Sequence, residues 1–175
     1  MSNNPSHGSV LTLVGADQPG IVAAVTQALF EAGCKLAEAS MMRLGGNFAI
    51  MLRVAHDDAV DLNEVLAPVV KAMDLHLHLD VDVEAAPHQI EPDVHITVYG
   101  ADRSGIVAQV TGVLAEAGLN IIDLETAVGG EADKPIYIMS IEGNAQNGIA
   151  ALEQSIQSLG DDIEVSVMPI DTLRG

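Results

Sequence analysis

Two short runs hold the residues best placed to do chemistry. Asp17-Gln18-Pro19-Gly20-Ile21 and Asp102-Arg103-Ser104-Gly105-Ile106 each offer a carboxylate, two polar or helix-breaking residues, a glycine and an isoleucine. Each follows a β-prone segment and precedes apolar residues at helical spacing, so each reads as a strand-to-helix turn. Such a turn exposes backbone N–H groups at the positive end of the helix dipole, where a carboxylate or other small anion can rest. The glycine lets backbone approach a ligand closely. The same residues also admit a purely structural reading, in which the aspartate caps the helix and the glycine permits the turn.

Other chemistry finds less support. His76 and His78 lie two apart on a β-prone run, so their rings share one face. A pair of this kind can begin a metal site. No third ligand stands at a fixed spacing, and a solvated strand face without metal is the expectation. Cys34, the single cysteine, follows a helix-ending glycine and reads as a small buried residue rather than a reactive thiol. Ser40, Ser104 and Ser140 lack a nucleophile-elbow setting. Phosphate-loop and dinucleotide signatures are absent and the carboxylates are scattered, so neither an enzyme nor a cofactor is expected.

The two candidate turns belong to a longer duplication. Residues 15–33 and 100–118 align without gaps at a spacing of 85, with 13 identities in 19 positions. Two copies of one structural unit are implied. In the first, residues 9–14 read as a strand, and Ile21, Val22, Val25 and Leu29 stripe a helix that Gly33 ends. Residues 36–44 and 48–54 flank Gly45-Gly46 as a hairpin. Leu62, Val65, Leu66, Val69 and Met73 stripe a second helix, and residues 75–83 alternate as a closing strand. The second copy repeats this order. Its hairpin connection, residues 129–135, reads as a longer loop, and Ile149, Leu152, Ile156 and Leu159 stripe one continuous helix.

The fold class is therefore α+β. Two ferredoxin-like βαββαβ units are expected, each a four-stranded antiparallel sheet with two helices on one face. The first unit is assigned residues 1–84, the second 93–175, and residues 85–92, interrupted by Pro87 and Pro92, form a linker. Sheet edges left free by this plan make a homo-oligomer an open expectation.

Composition narrows the partners. The chain has 7 Lys and Arg against 25 Asp and Glu, a net charge of −18. Nothing forms a basic stripe, so direct nucleic-acid binding and attachment to anionic membranes are not expected. Neither a membrane span nor a signal peptide is recognisable, and one cysteine suits a reducing compartment, so the expected location is cytoplasmic.

The pattern Gly-Ala-Asp-x-x-Gly-Ile-Val, a helix ending in Ala-Gly, and then Leu119-Asn120-Ile121 resembles the ACT domain, twice and over nearly the whole chain. The resemblance implies a regulatory rather than catalytic role. It implies a small effector, most simply an amino acid such as glycine, held where paired units meet. The residues it marks are Asp17, Gln18, Pro19, Gly20 and Ile21 in the first turn, and Asp102, Arg103, Ser104, Gly105 and Ile106 in the second. From the start of a neighbouring unit's second strand it adds Asn120 and, in the first copy, Lys35 at the equivalent place. Lys35 for Asn and Ser104 for the usual Pro make the two sites unequal. An aspartate in the turn disfavours a ligand carboxylate beside it, unless the aspartate meets an ammonium. Two ACT units with little else, and the run from Ser40 to Phe48, also resemble the glycine cleavage repressor family. That resemblance implies control of transcription through a DNA-binding partner protein. The alternative is an interaction module whose effector sites are vestigial.

Overall fold

A computed structural model describes residues 7–81, 90–101 and 104–170. Contacts divide the chain into two compact units, Met1–Pro87 and His88–Gly175. Each follows the βαββαβ order.

In the first unit β1 (His7–Ala16) leads to α1 (Ile21–Glu31), then β2 (Lys35–Leu44), β3 (Asn47–His56), α2 (Leu62–Ala72) and β4 (His76–Asp80). The sheet order is β2-β3-β1-β4, antiparallel throughout. Phe48, Ile50, Leu52 and Val54 alternate along β3 and are all buried, because α1 and α2 cover that face. Leu11 and Leu13 from β1, Val25 and Leu29 from α1, and Leu66 from α2 complete the core. α1 ends where Cys34 N donates to Leu29 O and Gly33 N donates to Phe30 O, which satisfies its last carbonyls. Cys34 packs against this core, and burial pushes its thiol pKa up. β4 stops at Asp80, short of the strand expected to reach residue 83; residues 82–84 lie outside the described residues.

The second unit has β5 (Val94–Ala101), α3 (Ile106–Glu116), β6 (Leu119–Glu131), β7 (Lys134–Ala145), α4 (Ile149–Ser155) and β8 (Ile163–Pro169), with sheet order β6-β7-β5-β8. Both second strands carry a bulge at the same place, between Leu36 and Glu38 and between Ile121 and Asp123.

Two expectations fail here. Residues 129–135 are not a loop: β6 and β7 pair as far as Glu131 and Lys134, and only two residues turn the chain. Pro135 lies within this extension, opposite Gly130 in the β6–β7 ladder. The fourth helix also breaks, at Ser155, and a 3₁₀ turn covers Ile156–Ser158. Ser155 Oγ donates to Leu152 O and Ser158 Oγ to Ser155 O, an alternative to continued helix. Among the described residues, no helix is long and apolar enough to cross a membrane.

Candidate functional site

The first turn is built by close approach and then by an unusual backbone angle. A Cβ on Gly15 would lie 2.6 Å from Leu75 Cδ2 and 3.2 Å from the Asp74 carbonyl, so only glycine lets β1 pass there unshifted. The chain then leaves the sheet. Asp17 N donates to Gly46 O at 2.9 Å, tying the turn to the β2–β3 hairpin. Gln18 Nε2 donates to Met73 O at 2.9 Å, tying it to the C-terminal end of α2. Gly20 sits at φ 89°, ψ −1°, a left-handed conformation that side chains resist, and α1 starts at Ile21.

This geometry corrects the capping reading. The N-cap of α1 is Gly20, and no side chain caps the helix. Asp17 stands three residues earlier, with Oδ2 2.5 Å from Arg43 Nη2. Pro19 precedes the N-cap rather than occupying the first helical position, and it is exposed. The first-turn amides of α1 are therefore left without a side-chain acceptor. By contrast, Asp61 caps α2 through Asn63 N and Glu64 N.

The second turn repeats the design. Gly105 has φ 88°, ψ −1°, and it too is an N-cap without a side-chain hydrogen bond. Ser104 and Gly105 are exposed. Asp102 and Arg103 lie outside the described residues. Gly100 makes the close approach in this copy, where a Cβ would meet Ile106 Cδ1 at 2.6 Å.

Not every residue expected to touch an effector can do so with its side chain. Ile21 and Ile106 are both 2 % exposed and belong to the cores, so only their backbone N–H groups are available. The amide of Gln18 already serves Met73. Lys35 and Asn120 are exposed at the starts of β2 and β6. Lys35 pairs with Ala55, whereas Ala16 pairs with Asn47 at the other end of β3. Eight residue steps of β3 separate these levels, about 27 Å. Within one unit the turn and the second-strand start thus stand at opposite ends of the sheet, and one small molecule cannot bridge them. Asn120 opposite Asn144, and Ala101 opposite Ile136, repeat the separation in the second unit.

Sequence reasoning missed Arg43. It lies in the Ser40-to-Phe48 run, but only strand order brings it to the turn: Gly15 pairs with Phe48, and Phe48 pairs with Arg43. The matching positions in the second unit are Gly100, Tyr137 and Val128.

His76 and His78 are exposed on edge strand β4, and His78 Nε2 lies 3.3 Å from Asp80 Oδ1. Among the described residues, no three His, Cys, Asp or Glu side chains cluster so as to hold a metal ion. Both helix starts thus leave first-turn N–H donors without a side-chain acceptor, and the first turn sets a carboxylate beside a guanidinium.

The ACT domain family model matches residues 8–85 and 93–168, once per unit. The chain belongs to the ACT domain family. It is 30% identical over 127 residues to the glycine cleavage system transcriptional repressor of Escherichia coli, spanning 71% of this chain and 66% of that protein. A shorter relative, a UPF0237 protein of Methanocaldococcus jannaschii, is 33% identical over 75 residues, 43% of this chain and 82% of its own length. Among solved structures, an unknown protein from Galdieria sulphuraria superposes with a TM-score of 0.72 at 24% identity, covering 94% of this chain and 99% of that one. A protein assigned as a glycine cleavage system transcriptional repressor gives 0.71 at 19% identity, covering 96% and 99%. These likenesses establish the fold. The chain is a tandem ACT protein related to that repressor.

Proposed function

We propose that this tandem ACT protein is a non-enzymatic regulator that takes up a free amino acid, glycine being the first candidate, at its helix-leading turns. The observation that carries this reading is the repeated turn. Gly20 and Gly105 share one left-handed geometry, and both leave the first amides of a helix without a side-chain cap. A carboxylate is a natural acceptor for such amides. The kinship to a transcriptional repressor supports action on gene expression, here on glycine and one-carbon metabolism. With a charge of −18 the chain is a poor ligand for DNA, so its action runs through a protein, such as a DNA-binding regulator. An effector shifts that interaction only if it binds one state of the protein more tightly than another.

Isothermal calorimetry of the full chain against each of the twenty amino acids tests the reading. Heat from one or a few of them is expected. Silence across the panel at millimolar concentration refutes it.

One observation favours a second reading, a ligand-independent interaction module. All ten residues of edge strand β2 are exposed, including Leu36, Met41, Met42 and Leu44. An edge of this kind can accept a partner strand without any effector. Partner capture that is the same with and without amino acids favours the module. Capture that changes with the effector favours the sensor.

A further inference from the structure

We propose that His76 and His78 are half of a zinc-type metal site, and that a second copy of this chain completes it. Each copy supplies two imidazoles, and one divalent ion joins two copies through four. Neither the helix-leading turns nor an effector is involved.

Four observations support it. First, the β ladder sets both rings on one face. His76 pairs with Val14 and His78 with Thr12, while Leu77 and Leu79 turn the other way and pack on the core. Residues two apart on a strand stand about 6.6 Å apart, close enough for two imidazole nitrogens to reach one ion at about 2.0 Å. Second, the rings are available. Both are exposed, His78 by 72%. By contrast, His56 is half-buried between Ser9 Oγ and Asp57 O, and His95 is half-buried against Thr97 Oγ1. His78 Nε2 lies 3.3 Å from Asp80 Oδ1, the next residue along the same face. A carboxylate on one ring nitrogen fixes the tautomer and leaves the other nitrogen, here Nδ1, as the acceptor a metal requires.

Third, symmetry supplies what one chain lacks. Among the described residues, no three His, Cys, Asp or Glu side chains cluster to hold an ion. β4 is an edge strand, paired with β1 and open on its other side. A second copy approaching that edge across a twofold axis brings the same two rings again. Four imidazole nitrogens make a closed tetrahedral set of the kind zinc takes. A net charge of −18 attracts a cation and makes two copies repel each other without one. Fourth, the fold does not need these histidines. The second unit has Glu164 opposite Tyr99 and Ser166 opposite Thr97, at the places of His76 and His78. One half-site per chain is therefore expected.

The test titrates the metal-free full chain with zinc chloride by calorimetry and follows its mass by analytical ultracentrifugation. The expected result is one ion per two chains, a doubling of mass, and return to the starting mass with EDTA. Magnesium, which prefers oxygen ligands, is expected to do neither. His76→Ala and His78→Ala should each lose the zinc-dependent doubling. Asp80→Asn keeps all four imidazoles and should weaken zinc binding by about ten- to hundredfold. All three positions are exposed, and melting curves without zinc establish that the variants fold. One ion per chain with no change of mass overturns the proposal. Zinc binding by the His76→Ala and His78→Ala chains within twofold of the native chain also overturns it, as does a native chain that gives no heat with zinc.

Discussion

Two glycines in one short stretch should respond oppositely to the same substitution. Gly105 and Gly112 bound and occupy α3, and a Cβ added to either meets nothing within 4 Å. Packing is therefore removed from the comparison. Gly105 lies at φ +88°, whereas Gly112 has ordinary helical backbone inside α3. Gly105→Ala places a Cβ in left-handed backbone, at about 1–2 kcal/mol. Restricting the unfolded chain returns about 0.4–1 kcal/mol, leaving a net loss of about 1 kcal/mol. Gly112→Ala has no such strain and should gain about 0.5–1 kcal/mol. Urea unfolding followed by far-ultraviolet circular dichroism measures both. In a unit of this size a loss of about 1 kcal/mol lowers Tm by about 4–8 °C. Gly20→Ala should repeat the Gly105 result, since its φ is +89° with equally open space. Equal stability changes, in sign and size, for Gly105→Ala and Gly112→Ala would refute the claim that φ, and not space, selects glycine at these turns.

Asp61→Ala removes the acceptor for Asn63 N and Glu64 N and should cost about 1 kcal/mol in urea unfolding, whereas Asp17→Ala should not weaken α1 as a lost cap would. Cys34 has its thiol pKa raised by burial, so iodoacetamide should alkylate it more slowly in the folded chain than in urea at the same pH. The linked stability has a definite sign. The folded chain keeps this proton to higher pH than the unfolded chain, so the contribution is complete below the ordinary thiol pKa and declines as pH rises above it. A Cys34→Ser variant whose stability falls over that alkaline window as steeply as the native chain's would contradict this.

The duplicated fold was legible because local chemistry and tertiary need agree along most of the chain. Phe48, Ile50, Leu52 and Val54 alternate in sequence and are buried together in the structure. Gly45-Gly46 marks the hairpin turn that the structure makes. Where sequence reading faltered, another contact decided the outcome. The apolar stripe from Ile149 to Leu159 is helical in period, but two serines bond backward to carbonyls and the last turn tightens. The Gly129-Gly130 pair resembles the first hairpin's turn, yet the strands pair on past it. Asp17 sits where a cap is usual, but the chain needs three more residues before α1 begins. The family pattern runs through Ile21 and marks it for the site, while its side chain fills the core. Arg43 is 26 residues from Asp17 in sequence, and only the strand order β2-β3-β1-β4 makes them neighbours.

The central claim is that an amino acid is held at the turn leading into α1. Amide NMR of the full, isotopically labelled chain, titrated with the amino acid selected by calorimetry, tests it most directly. The account predicts saturable shifts at the backbone amides of Asp17, Gly20, Ile21 and Val22, with little change at Asp61 and α2. A saturable ligand that moves amides elsewhere and leaves those of the turn unchanged would contradict it.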